Sequence, residues 1–239
     1  MDKDGKFRCV ECGSSVNSLY IQYSPGNIRL MKCENCKAVA DEYIECEIMI
    51  ILIDFILHKR QAYRHLFYNM FTREKLNFEG LLWKSLLVFL LLDSYRMMIL
   101  CTSPKERIWP TTFASLTSIY GKVVFGVIFG NLVFLGTLLF GATRFLESIV
   151  RNSGYRSVLL VVLVSSYLKI FLLAMMVWEF PPAVIFVVDM LVISSNTLAL
   201  SVLTDKDTIH CLWICIAAQM LKLLMEHSLI GFPTLSQCY

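Results

Sequence analysis

The chain has 239 residues, of which 56% are hydrophobic and only 17% charged, and its net charge is +3. Soluble domains carry about 45–50% apolar and about 25% charged residues, so the composition excludes an ordinary soluble domain. A charge of +3 is too small to point to nucleic acid as a partner. The charge is also unevenly placed. Residues 1–80 hold most of it, and residues 81–232 are built of long apolar runs. That segregation predicts a small polar head joined to a membrane body.

The opening, MDKDGKFRCVECG, lacks the apolar stretch of about 7–15 residues that a secretory signal needs. The head is therefore expected in the cytosol, where thiols stay reduced and regularly spaced cysteines point to metal. Cys9 and Cys12 form one C-x-x-C. Cys33 and Cys36 form a second, about 20 residues on, which is the spacing of a zinc site. Each tight loop aims two thiolates at one ion. Four thiolates close a tetrahedral shell, so the zinc is structural, not catalytic. Gly13 supplies the positive φ such a loop needs.

LYIQY and IRLMK, rich in β-branched and aromatic residues, read as strands. SPGN between them reads as a type II turn, with Pro25 second and Gly26 third. The resulting hairpin brings the two cysteine loops together as in a zinc ribbon, and VADEYIEC is expected to add a third strand. About 45 residues cannot bury a stable core unaided, so the metal supplies much of the stability. Cys46 reads as a spare thiol. The other cysteines lie in or near apolar segments, as small hydrophobes or palmitoylation sites.

Residues 46–69 form a neck. The apolar run Ile48–Leu57 is about half the length a spanning helix needs, and Lys59, Arg60 and Arg64 follow it. This pattern predicts a helix lying in the headgroup layer, with Lys59, Arg60 and Arg64 near lipid phosphates and Tyr63 and Tyr68 at the interface. The alternative is a helix packed against the ribbon.

The combination RCVECG, LYIQYSPGNIRLMKCENCK, ADEYIEC and IILIDFILHKRQAYRHLFYN closely resembles the homology domain of the ARV family (Are-two required for viability), strongly over residues 7–70. Farther on, only phrases such as LLDSYR, SSYLKIFLLAMMVWEFP and DMLVISSNTLAL look similar. The resemblance implies zinc on Cys9, Cys12, Cys33 and Cys36. It also implies an endoplasmic reticulum membrane protein of sterol and sphingolipid homeostasis, linked to early glycosylphosphatidylinositol (GPI) anchor assembly. Composition and periodicity show none of that lipid function.

Five spans are predicted, at about residues 81–101, 119–142, 157–178, 182–203 and 208–230. The first carries Lys84, Asp93 and Arg96 and is the weakest. Pro181 and Pro182 in EFPP force the reversal after the third. With a cytosolic head, five spans put Lys59, Arg60, Arg64, Arg73, Lys75, Arg144, Arg151, Arg156 and Lys206 on the cytosolic side. Only Lys105 and Arg107 then face the lumen, as the positive-inside rule requires.

Ionisable groups inside spans face partners or cavities. Lys169 and Asp189 sit about 15 Å and 10 Å from the EFPP turn on antiparallel helices, so they are expected to meet. Deeper, Ser165 and Ser166 lie level with Asn196. These five residues form a predicted polar seam, read either as a pocket for a sterol hydroxyl or lipid headgroup or as a self-satisfying helix contact. Asp93 and Arg96 are placed to pair within one helix, as are Gln219 and Lys222, with snorkelling of Lys222 as the alternative. Gly126 and Gly130 form GxxxG, which admits a close helix neighbour.

The expected organisation is thus a β zinc-ribbon-like head (1–45), an amphipathic basic neck at the membrane interface (46–80) and an all-α membrane bundle (81–239). Its predicted role is non-enzymatic: sterol trafficking and distribution in the endoplasmic reticulum, with effects on sphingolipid metabolism. Membrane lipids are the expected partners: sterols, and also sphingolipids or GPI precursors. The alternative is a scaffold subunit supporting a lipid-synthesis enzyme such as the early GPI glycosyltransferase.

Overall fold

The computed structural model describes residues 7–24, 26–71, 78–101, 113–145, 147–173, 181 and 183–230. In the head, β1 (Phe7–Arg8) pairs antiparallel with β2 (Ser15–Val16), and β3 (Tyr20–Ser24) with β4 (Asn27–Leu30). Gly26 has φ +84°, as the predicted turn requires; Pro25 lies outside the described residues. The expected third strand shrinks to one bridge between Lys32 and Val39. The reason is local. Asp41 Oδ1 accepts the Tyr43 amide at 3.1 Å and turns the chain into a 3-10 turn at Glu42–Ile44, the side-chain capping that favours Asp at such positions.

The neck is two short helices, not one. α1 (Ile48–Ile56) is almost wholly apolar and leaves Ile48, Met49, Ile53 and Ile56 exposed. A corner at His58, φ +58°, leads into α2 (Arg60–Arg64), which widens into a π turn at His65–Met70. Tyr63 and Tyr68, expected at the membrane interface, are buried instead. Phe55 stacks on Tyr63 with centroids 4.0 Å apart. Tyr63 Oη lies 2.8 Å from Ser195 Oγ in the bundle. Tyr68 donates to the Val202 and Leu203 carbonyls, each at 3.2 Å. Those carbonyls end a helix and lack intrahelical partners, so a phenol supplies what lipid does not.

Five long helices follow: α3 (Phe78–Cys101), α4 (Phe113–Phe145), α5 (Glu147–Ser165, extended by a 3-10 turn at Ser166–Ile170), α6 (Ala183–Thr204) and α7 (Thr208–Ile230). Four contain segments long and apolar enough to span a membrane: Tyr120–Arg144, Tyr155–Leu173, Ala183–Thr204 and Thr208–Leu229. α3 has the length, at 24 residues, but carries more charge. Its Asp93 and Arg96 are 0% and 1% exposed, whereas Trp83, Leu87, Val88 and Leu91 face outward. The charges are inside the bundle and the greasy face is outside, as in a span packed against partners.

Two ion pairs fix which ends lie together. Arg156 meets Glu79 at 2.9 Å, so α3 and the α5 span start on one face. Arg8 meets Asp205 at 2.8 Å, so the head sits beside the α6–α7 turn. Alternating passes of five helices satisfy both. Arg73, Lys75, Lys105, Arg107 and Pro182 lie outside the described residues.

α4 and α7 approach closely at Gly130, one of the predicted glycine pair. A Cβ on Gly130 would stand 3.0 Å from Glu226 Cγ. Gly130→Val is therefore expected to separate α4 from α7 and cost about 1–3 kcal/mol, measured as a lower unfolding temperature in detergent. Gly136, with nothing within 4 Å of its would-be Cβ, should tolerate Ala.

Candidate metal centre and intramembrane charge cluster

The two cysteine loops share one backbone design. The Gly13 amide donates to the Cys9 carbonyl at 2.9 Å, and the Lys37 amide to the Cys33 carbonyl at 3.0 Å. Both fifth residues are left-handed, Gly13 at φ +79° and Lys37 at φ +63°. A lysine there costs about 1–2 kcal/mol relative to glycine, so the glycine rule that finds the first loop misses the second. The four Sγ atoms of Cys9, Cys12, Cys33 and Cys36 lie within 4.8 Å of one another, within metal-binding distance. Cys9 and Cys36 are 3.7 Å apart, Cys12 and Cys33 3.6 Å. None of the four is in a disulfide.

Their acidities differ by environment. Burial pushes the Cys9 thiol up to about 12. At Cys12 burial is the largest influence and raises the value, but hydrogen bonds from Ser14, whose Oγ is 2.7 Å away, and from Asn35 and Cys33 together outweigh it and bring the thiol down to about 6. The Ser14 hydroxyl lowers Cys33 as well. At neutral pH Cys12 is thus already a thiolate while Cys9 holds its proton. A metal takes only the deprotonated form, so uptake is expected to release protons and to weaken as pH falls across the neutral range, because Cys9 must lose its proton, and more steeply below about 6, where Cys12 gains one. Zinc titration in weak buffer with a pH indicator, run at two pH values, checks both.

The head is strapped to the neck. Arg64 donates to the carbonyls of Val10, at 3.0 Å, and Glu11, at 2.6 Å, on the first cysteine loop. Asn69 brackets Arg8, accepting its amide and donating to its carbonyl, both at 2.9 Å. Buried Asp41 accepts from His65 Nδ1 at 2.7 Å and Asn69 Nδ2 at 2.6 Å. A His–carboxylate pair resembles a general-base arrangement, but the described hydrogen bonds of His65 bring it no hydroxyl or thiol. Of the three cations placed near lipid by sequence, Lys59 pairs with Asp54 at 2.7 Å, Arg64 holds the cysteine loop, and Arg60 remains exposed on α2.

Inside the bundle the seam forms as read for its uncharged members. Ser165 and Ser166 both donate to Asn196 Oδ1, the latter at 3.2 Å, and Ser195 donates to the Ser165 carbonyl at 2.7 Å. The charged members pair differently. Lys169 does not meet Asp189. Its Nζ donates to Asp93 Oδ1 at 2.9 Å and lies 3.8 Å from the Phe89 ring centroid. Asp189 instead accepts from Arg96 Nη1 at 3.3 Å. Helix depth puts two groups on one level but leaves open which of several neighbours wins, and α3 brings Asp93 between them.

Asp93 is the hub. It accepts from Lys169, Lys222, Asn131 Nδ2 at 2.7 Å and Arg96 Nε at 3.2 Å. The Asp93–Arg96 pairing within α3 is therefore formed. Lys222 does not snorkel. It is 1% exposed and donates to Asp93 and to Asn131 Oδ1, the latter at 2.9 Å. Arg96 Nη2 donates to Glu226 Oε2 at 2.7 Å. Three acids (Asp93, Asp189, Glu226) thus face three bases (Arg96, Lys169, Lys222), drawn from α3, α5, α6 and α7, with Asn131 of α4 among them. Asn131 and Glu226 were not singled out from sequence. Their signal was faint: one amide and one acid in long apolar helices.

A cysteine-clustered head strapped to a five-helix bundle with a balanced ionic core defines a polytopic membrane protein with an N-terminal metal-binding-type domain. The Arv1-like family pattern matches residues 8–200, and the chain belongs to that family. It is 49% identical to Protein ARV 2 of Arabidopsis thaliana, over 92% of this chain and 94% of that one. It is 48% identical to Protein ARV 1 of the same plant, over 91% and 86%, and 26% identical to Protein ARV1 of Homo sapiens, over 82% and 72%. No solved structure matches.

Proposed function

We propose that this chain is a non-enzymatic lipid-handling protein of the endoplasmic reticulum membrane. In this reading its head is cytosolic and zinc-ordered, and it distributes sterols into membranes and affects sphingolipid metabolism. The compartment and the lipid come from the family resemblance. The observation that carries the physical part is the head's attachment. Arg8, Tyr63 and Tyr68 anchor a four-sulfur centre onto one end of the bundle, so anything the head recognises is read at the membrane surface.

Zinc is the ion the cysteines suit. A tetrahedral shell with Zn–S of about 2.3 Å sets its sulfurs about 3.8 Å apart, and separations of 3.6 and 3.7 Å support that fit. Cys9, Cys12, Cys33 and Cys36 would hold it, and four thiolates leave no position for substrate. Zinc here supplies fold stability, which favours the non-enzymatic reading.

The test is reconstitution. Zinc-loaded protein in vesicles should bind or redistribute a photoactivatable sterol probe above the level of empty vesicles. Absence of both sinks the reading. The scaffold alternative has its own support, because the ionic core satisfies most of its own groups and leaves little for a headgroup. Stoichiometric recovery of a glycosyltransferase from mild detergent, without lipid binding, would favour it.

A further inference from the structure

A cavity of about 240 Å³ opens where α2 meets the α6–α7 turn. Arg60 and Arg64 line it from the neck, and Asp205, Lys206, Asp207 and Thr208 from the turn. The turn joins two spans, Ala183–Thr204 and Thr208–Leu229, so the cavity lies at the level of lipid headgroups.

Not all of these charges are free. Arg64 is held by the Val10 and Glu11 carbonyls. Asp205 is held by Arg8 at 2.8 Å. Arg60, Lys206 and Asp207 are exposed and have no ion pair among the described residues. Two free cations and one free carboxylate give a net charge of +1. A second observation points to lipid. Leaving the cavity, α7 exposes Ile209, Leu212 and Trp213, which are 64%, 37% and 67% accessible. Their spacing of i, i+3 and i+4 makes one apolar stripe, and tryptophan suits the zone between headgroup and acyl chain. A polar cavity above an apolar flank matches a glycerophospholipid end to end.

We propose that this cavity holds the headgroup of an anionic glycerophospholipid. Its phosphodiester sits between Arg60 and Lys206, where charge-assisted bonds are strongest. A hydrogen-bond donor of the headgroup, an ammonium or a hydroxyl, rests on Asp207. Acyl chains run down the Ile209–Trp213 stripe. A choline headgroup is disfavoured, because it carries no net charge and its quaternary nitrogen has no hydrogen to donate. The proposal deepens the lipid-handling reading and rests on it for the cavity's place at the membrane surface.

The test uses the full zinc-loaded chain in detergent and native mass spectrometry. Phosphatidylserine, phosphatidylinositol and phosphatidylcholine are titrated separately. Both anionic lipids are expected to occupy one site at concentrations about tenfold below phosphatidylcholine. Arg60→Gln with Lys206→Gln should erase that preference while leaving zinc content and unfolding temperature unchanged, since both side chains are exposed. Arg60→Lys with Lys206→Arg should restore it. No preference over phosphatidylcholine, or a preference that survives the glutamine pair, overturns the proposal. So does equal competition by glycerophosphoserine, which carries the headgroup without acyl chains and would mark a site for soluble phosphates. Failure here with sterol binding intact leaves the lipid-handling reading standing. Anionic lipid held through Arg60 and Lys206, with neither binding nor redistribution of the sterol probe, sinks that reading and keeps the site.

Discussion

Asp93→Leu is expected to break the bundle. Asp93 is fully buried and accepts hydrogen bonds from Lys169, Lys222, Asn131 and Arg96. Its removal leaves three bases facing two acids in a water-poor interior. Removing one partner of a buried ionic set costs about 3–5 kcal/mol, because the remaining charge is uncompensated. That is a large share of the stability of an ordinary domain, about 5–15 kcal/mol. The expected readouts are a sharp fall in unfolding temperature in detergent and loss of α3 from the membrane. A glycosylation acceptor placed between residues 102 and 112 reports the second effect. Asp93→Leu combined with Lys169→Met restores two bases against two acids, Arg96 and Lys222 against Asp189 and Glu226, and should recover much of the loss. If Asp93→Leu alone unfolds at the wild-type temperature, the ionic core is not what holds α3.

Cys33→Ser is the second large effect. Cys33 is buried, with its Sγ 3.6 Å from Cys12 Sγ and 3.4 Å from Ser14 Oγ. Among the described residues the head has two short strand pairs and a thin apolar core, so metal binding is most of its folding free energy, an apparent value of about 10–16 kcal/mol for structural zinc sites. Serine is a poor zinc ligand, and three thiolates do not close the shell. The variant is expected to lose stoichiometric zinc and to be cut rapidly by protease within residues 7–45. Chelation of the wild type should do the same. Cys46→Ser, at a half-buried position outside the cluster, should do neither. The bundle helices should stay protected in both cases, since their contacts do not pass through the metal.

The head and the bundle were legible from sequence to different depths. Spacing alone located the sulfur cluster, because two C-x-x-C loops joined by a hairpin have few ways to meet. It could not foresee Lys37 taking the left-handed position that Gly13 takes in the first loop. It also overcounted the strands, since β propensity over VADEYIEC says nothing of the Asp41 side chain that turns the chain at Tyr43. In the neck, the run of cations suggested the membrane surface. The structure uses Arg64 and Tyr63 as fasteners, because a carbonyl or hydroxyl waiting in another element is invisible to local pattern.

What the amino-acid order determined by itself was whatever depends on short range and on solvent: the cysteine loops, the long apolar helices and the inward cost of every charge within them. A composition rule leaves α3 out of the candidate spans because it counts charges such as Asp93 and Arg96 as though lipid surrounded them. Only the tertiary structure decided which charge meets which, placing Lys169 on Asp93 rather than Asp189 and drawing Lys222 inward. The physical reason is that ionic energy depends on separation in space and on local dielectric, and both are set by helices that lie up to about 130 residues apart along the chain.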